Sequence, residues 1–375
     1  MEPYPYKFVP IYKEKIWGGR NLQRLFGRNL PPGESIGESW ELADLVEGVS
    51  RVANGPAAGT SLTDLTGRLG PRLLGGSRPM PDGRFPLLLK LLDANDILSL
   101  QVHPDADAVK AIGPGAALKT ECWYVIESRG GMIYKGVLPG VTAEQFRKAV
   151  QSDTVERFVN ACKVEAGDFH YLPAATVHAL GAGVVVAEVQ TPSDITYRVT
   201  DWGRGREIHV ERSMRCIHFA ETDDFTEAAD AAPDGDTLLA KGVRPLFPRI
   251  NFSEADAAAP GDAAPGDATP GADGDTLPGA DGETLLKTEF FTVTRREASA
   301  GKPAVLPAGR CAALMMLNTK TPAEVRHAGP VEPATKVRAG DTILIPACLD
   351  RPEIVTQSAC AWLEITLPGE AGGQE

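Results

Sequence analysis

Four side chains in three segments of the sequence are of the types that hold a divalent metal. In the run LSLQVHPD, Gln101 and His103 are two positions apart. On a strand, residues i and i+2 point to one face, so this spacing aims both into a single interior. Glu121 follows at the start of the CWYVI run, and His178 lies within GDFHYLPAATVHALG. Two imidazoles, a carboxylate and an amide oxygen make a mixed nitrogen and oxygen set. Such a set suits Zn2+, and Mn2+, Co2+ or Fe2+ less decisively. Any one of these histidines alone is more often structural; the combined spacing predicts the site. His170, His209, His218 and His327 fit no such pattern and read as surface or packing residues.

Residues so far apart in the chain must be gathered by a sheet. Short apolar runs supply one: Phe85–Leu92, Ile97–Val102, Cys122–Ile126 and Val184–Val189, joined by turns that carry Gly, Pro, Asp and Asn. Gly167 and Pro173 bracket another strand, with His178 at the start of the next. The pattern resembles the second cupin motif, G-x5-P-x-G-x2-H, read here as Gly167, Pro173, Ala175 and His178. Ala175 replaces the motif's second glycine. One helical insertion is predicted over Thr142–Cys162, with a capping-box pair at Thr142 and Gln145 and a break at Ser152–Asp153 that divides it in two. A further helix is read over Ser61–Leu74.

The chain is long enough for two domains, with 375 residues. Residues 254–285 are Ala, Asp, Gly and Pro with almost no large apolar side chains, and GADGDTLP is followed directly by GADGETLL. Such a stretch cannot offset its ordering entropy by burial and reads as an acidic linker or loop. It lacks a full calcium-loop pattern. The expected organisation is therefore mainly β, with two cupin-like jelly-roll barrels. Residues 1–253 form the catalytic barrel with its insertion at about 142–162, residues 286–368 a second barrel, and 369–375 a tail. In that second barrel Gly340 and Pro346 repeat the bracket, but Arg351 stands where His178 has its counterpart. One metal per chain is expected.

The formal net charge is −12, with no basic run, which excludes nucleic acid as an expected partner. No apolar run approaches a membrane span, and no signal peptide is read at the N-terminus. Six cysteines, none in a C-x-x-C spacing, fit a reduced, cytoplasmic protein with buried structural thiols. Oligomeric state is not legible.

Several motifs in order resemble type I mannose-6-phosphate isomerase, especially its short bacterial form. They are IWGGRNL at Ile16, GESWEL at Gly37, LSLQVHPD at Leu98, KTECWYVI at Lys119 and TYRVTDWGR at Thr196. The resemblance covers about residues 5–220. It implies that Gln101, His103, Glu121 and His178 are the metal ligands and that Arg198 is the catalytic arginine. Lys90 and Ser99 are implied at the substrate phosphate, Lys119 beside the metal, and Glu188 and Asp194 near the sugar.

The implied reaction interconverts mannose 6-phosphate and fructose 6-phosphate through a cis-enediol(ate). It needs a base for the carbon 2 proton and a fixed positive charge for the oxyanion. Glu188 is the first candidate base, with Lys119 and His178 as alternatives; a histidine bound to metal has little basicity left. Arg198 could instead pair with Asp194 or Asp201, and Lys90 could be a strand lysine reaching for solvent. Trp17, Trp40 and Trp123 read as core, and Glu38 as either pocket wall or structural. A metallo-cupin of another chemistry and a non-catalytic sugar-binding protein are the competing readings.

Overall fold

The computed structural model describes residues 2–219 and 282–369. Most of the predicted linker, including its repeats, and the tail beyond Gly369 lie outside the described residues. The architecture is mainly β: among the described residues there are four larger sheets and a two-stranded one, Asp44–Leu45 with Gly48–Val49.

The first pair forms the N-terminal barrel. Its six-stranded sheet runs in the order Phe169–Leu172, Glu121–Ser128, Val184–Gln190, Leu88–Ala94, Ile36–Leu42 and Ile11–Gly19. Facing it is a five-stranded sheet in the order Val159–Lys163, Met132–Val137, His178–Leu180, Leu100–Val102 and Tyr197–Thr200. All the strand pairings are antiparallel.

The apolar runs FPLLLKLL and VVVAEV do not alternate in polarity, and the layering explains why. Leu89, Leu91, Val185, Ala187 and Val189 pack outward on the second barrel. Their neighbours Leu92, Ala94, Val184 and Val186 pack into the first. Both faces of these strands are buried, so both sets of positions must be apolar. Full burial of each Leu or Val among them is worth about 1.5–3 kcal/mol. Against that background, Lys90 and Glu188 are the exceptions that face the barrel interior.

The second barrel presents Val293, Ala313, Met315, Leu363 and Ile365 to the shared core, and encloses Leu314, Met316, Val325, Val337, Ile343 and Trp362. Two boundaries differ from those expected. The first strand of the chain, Tyr6–Lys7, belongs to the C-terminal six-stranded sheet, where Tyr6 pairs with Leu344. The strand Gly282–Lys287 begins inside the stretch read as linker, because Gly282 and Glu283 pair with Arg296 and Arg295.

Three helices, Ala106–Ile112, Ala143–Gln151 and Val210–Cys216, pack on the five-stranded sheet. Thr142 and Gln145 cap Ala143–Gln151 reciprocally, with hydrogen bonds of 2.9 and 3.2 Å between side chains and backbone. After a single 3-10 turn at Val155–Phe158 the chain enters the strand Val159–Lys163, so residues read as the end of a helix are strand. The β-branched Val159 pairs with Val137 there, and tertiary pairing overrides the helical spacing. Leu62–Leu69 and Pro71–Leu74 are two helices broken at Gly70. All six cysteines are free, but Cys348 is exposed and Cys162 only partly buried, against the expectation of six buried thiols. Among the described residues no helix is long and apolar enough to cross a membrane.

Candidate active site and metal centre

His103, Glu121 and His178 converge inside the N-terminal barrel, their ligating atoms all within 4.8 Å of one another. His103 Nε2 is 3.4 Å from Glu121 Oε2, and His178 Nε2 is 3.2 Å from Glu121 Oε1. All three are buried. The Nδ1 atoms are fixed from behind: that of His103 by the Ile195 carbonyl at 2.9 Å, that of His178 by the Thr176 carbonyl at 2.8 Å. A carbonyl can only accept, so each Nδ1 carries the proton. Each ring therefore turns its Nε2 inward, the atom that carries the lone pair in this tautomer.

Those lone pairs meet the oxygens of a carboxylate. Burial pushes Glu121 up, but Lys119 and His103 outweigh it and hold its carboxyl well below the usual range. Burial and the charge of Lys119 push His103 down to about 3, so it stays neutral. His103 Nε2 and both Glu121 oxygens have no hydrogen-bond partner, although Lys119 Nζ stands 3.1 Å from Oε2. Converging acceptors served from one side only are costly in a buried site unless a cation lies among them. The residues fit a divalent metal.

The turn before His178 gives the motif its physical content. Ala175 has φ 69°, in the left-handed region, which explains why the cupin pattern carries glycine there. Its N–H donates to the His103 carbonyl at 2.8 Å and ties the two ligand segments together. Gln101 pairs with His178 across the sheet. It presents its amide Nε2 to His178 Nε2 at 3.2 Å, so ligation through oxygen requires the amide to be turned over.

A cavity opens beside this group. Lys90, Ser99, Gln101, Lys119, Glu188, Asp194 and Arg198 all line it. Lys90 Nζ stands 3.1 Å from Glu188 Oε1 and 4.0 Å from both Glu38 Oε2 and Asp194 Oδ1. Burial pulls the Lys90 ammonium down, but Glu188, Glu38 and Asp194 more than offset this and raise it. Lys90 is thus an internal charge and not a strand lysine reaching for solvent. The indole N–H of Trp123 donates to Glu188 Oε2 at 2.9 Å. Burial and the nearby Glu121 push the Glu188 carboxyl up, against the pull of Lys90, Lys119 and Trp123.

Arg198 lies opposite Gln101 on the Tyr197–Thr200 strand. Asp201, one alternative partner in the sequence, is taken by Arg204 and Arg206 at 2.9 and 2.5 Å. Burial and Arg206 draw the Arg198 guanidinium down from its usual value. Its backbone is pinned by His209, whose N–H donates to the Arg198 carbonyl at 2.7 Å and whose Nδ1 accepts from the Arg198 N–H at 3.2 Å. His209 thus positions the arginine, a role its isolated place in the sequence did not signal.

Lys15, Trp17, Glu38 and Arg206 also line the cavity. Trp17, read as core, is one wall of the site, and Glu38 is both wall and strut.

A model described as "Phosphomannose isomerase type I, catalytic domain" matches residues 6–124. A probable mannose-6-phosphate isomerase of Bacillus subtilis is 39% identical over 227 residues, which is 59% of this chain and 70% of that protein. The chain belongs to the type I phosphomannose isomerase family. Its fold agrees with that family: the crystal structure of mannose 6-phosphate isomerase from Bacillus subtilis superposes with a TM-score of 0.73 at 25% identity, covering 96% of this chain and 99% of that one. A mannose 6-phosphate isomerase structure bound with zinc and yttrium shares the fold, with a TM-score of 0.66 at 15% identity and coverage of 97% and 99%.

Proposed function

We propose that this phosphomannose isomerase interconverts mannose 6-phosphate and fructose 6-phosphate by moving a proton between carbons 1 and 2 through a cis-enediol(ate). The observation that carries this reading is the buried convergence of His103, Glu121 and His178 beside a cavity lined by Glu188 and Arg198, with His103 Nε2 and both Glu121 oxygens lacking a hydrogen-bond partner. His103, Glu121, His178 and, through its amide oxygen, Gln101 would hold one Zn2+, the metal seen in a solved relative. Mn2+, Co2+ and Fe2+ suit the same donors. The bound ion supplies Lewis-acid polarisation of the sugar's carbonyl and hydroxyl oxygens.

The protein's own groups do the rest. Glu188 takes the carbon 2 proton and returns it to carbon 1. Its Oε1 faces the Lys90 ammonium at 3.1 Å, and burial raises its carboxyl toward working pH. Arg198 offsets charge developing on the enediolate oxygens without giving up a proton. Lys119 adds positive charge beside Glu121. Lys90 and the Ser99 hydroxyl serve the phosphate, and Asp194 accepts from sugar hydroxyls. Free thiols at all six cysteines support a cytoplasmic setting. The catalytic work falls to the N-terminal barrel, with the second as its support.

The test is turnover of mannose 6-phosphate by the purified chain as isolated, after chelation, and after adding back Zn2+, Mn2+ or Co2+. Chelation should abolish turnover and one metal should restore it. Folded protein that is inactive with every metal would sink the assignment and favour a non-catalytic sugar-binding role.

A further inference from the structure

Of the five cationic side chains that line the cavity, four face a carboxylate. Lys15 stands 2.9 Å from Glu38, Lys90 3.1 Å from Glu188, Lys119 3.1 Å from Glu121 and Arg206 2.5 Å from Asp201. Arg198 has no carboxylate within 4.0 Å among the described residues. Its Nε is buried without a hydrogen-bond partner, and its Nη1 reaches the Glu207 carbonyl at a long 3.5 Å. An unquenched guanidinium suits charge that develops on an enediolate, but a side chain tied so loosely cannot aim itself. The aim must come from the backbone that carries it.

That backbone is held by a loop closed on itself. The strand Tyr197–Thr200 ends one residue before Asp201, which is buried. Asp201 Oδ1 accepts from Arg204 Nη2 at 2.9 Å and from Arg206 Nη2 at 2.5 Å, and Oδ2 accepts from Arg206 Nε at 2.9 Å. The Asp201 carbonyl accepts twice more from Arg204, from its backbone N–H and from Nε, each at 3.1 Å. The chain then reaches His209, whose two bonds to the Arg198 backbone close the ring. Without the charge of Asp201, two guanidinium groups would stand together inside this loop with nothing between them to offset their repulsion.

The loop is also tied to the segment that leads into the metal group. Arg204 Nη1 donates to the Ile97 carbonyl and the Trp202 indole N–H to the Leu98 carbonyl, each at 2.6 Å. Those carbonyls come just before Ser99 and Gln101. Trp202 itself has φ 56°, a left-handed conformation that a bulky residue rarely adopts and that its surroundings must impose. The loop thus spans both sides of the site, with Asp201 at its centre.

We propose that Asp201 is the positioning residue for Arg198: by clamping Arg204 and Arg206 it fixes the loop 201–209, and through His209 it sets where the Arg198 guanidinium stands while leaving that group unpaired for the substrate. This rests on the sugar-phosphate isomerase reading.

The experiment compares wild type with Asp201→Asn and Arg204→Gln, full-length and metal-loaded, with thermal unfolding as the check that each is folded. Arg204 is not among the residues that line the cavity, so its variant loosens the clamp from the far side. Each should lower kcat by about 10- to 100-fold, with KM for mannose 6-phosphate within about threefold of wild type. In an Arg198→Lys background, adding either variant should cost no more than about threefold, because the planar fork being aimed is gone. A general weakening of the fold would cost the same in both backgrounds, and that result would overturn the proposal. So would kcat within about twofold of wild type in a folded variant, with the isomerase reading left intact. If Asp201→Asn does not fold, Arg204→Gln carries the same test. Should wild type show no turnover, the isomerase reading fails by itself. Hydrogen exchange at the Arg198 amide then decides the positioning: exchange about 10-fold faster in the variant supports it, and equal rates overturn it.

Discussion

The indole of Trp123 donates a hydrogen bond of 2.9 Å to Glu188 and so fixes the carboxylate that faces Lys90. The donor favours the charged form of Glu188. Replacing Trp123 with Phe leaves Oε2 buried without a partner and raises the carboxyl further. The acid limb of the kcat profile should therefore move to higher pH, by about one unit or less. Glu188→Gln should lower kcat by about 10²- to 10⁴-fold with little change in KM. A pH–rate series on the two variants checks both.

Metal binding should be visible without turnover. The lone pairs of His103, His178 and Glu121 repel one another when no cation separates them. Adding Zn2+ to chelated protein should raise the unfolding temperature, and 100-fold excess over Kd corresponds to about 2.7 kcal/mol. His178→Ala should remove the increment, as read by calorimetry. An unchanged increment would point to a different metal site.

Glu38 gives an acid limit with a definite sign. Its folded-state value is about 2 against an ordinary 4.5. A depressed carboxyl contributes stability that is complete above pH 4.5 and is lost as pH falls toward 2. The stake is on the order of 3 kcal/mol. Urea unfolding across that range should show a shallower acid dependence for Glu38→Gln than for wild type.

Ala175 holds a left-handed backbone conformation that a glycine adopts freely. Ala175→Gly should stabilise the protein by roughly 0.5–1 kcal/mol, because relief of the Cβ clash exceeds the added freedom of the unfolded chain. Thermal denaturation measures it. A loss of stability would mean that the buried methyl group contributes more by packing than the strain costs.

The metal group was legible because it obeys strand arithmetic: Gln101 and His103 share a face, and the bracket of Gly167 and Pro173 sets His178. Glu188 and Lys90 were legible as charges inside apolar runs. Lys15 and Trp17 were not, since the run YKEKIWGG mixes charges on both faces, as an exposed edge strand does. Only the neighbouring strand, which brings Glu38 to Lys15, turns that face into a wall. Arg206 and His209 were missed for a similar reason: their role comes from a loop folded back on Arg198 and Asp201, which no periodicity reports. The helix expected up to Cys162 failed where cross-strand pairing prevailed over local spacing.

The Tyr6–Lys7 strand has a consequence for the order of events during synthesis. These residues are made long before their partners Leu344 and Ile343. Until then the tyrosines that belong in the shared core have nowhere to go. The catalytic barrel can close early, but its N-terminal segment must wait for the second barrel to be translated. Such long-range closure is slow and leaves apolar surface open in the interval. The nascent chain is therefore vulnerable to aggregation until Ile343 and Leu344 have been made, and removing residues 1–10 would leave the Thr342–Ile345 edge permanently bare.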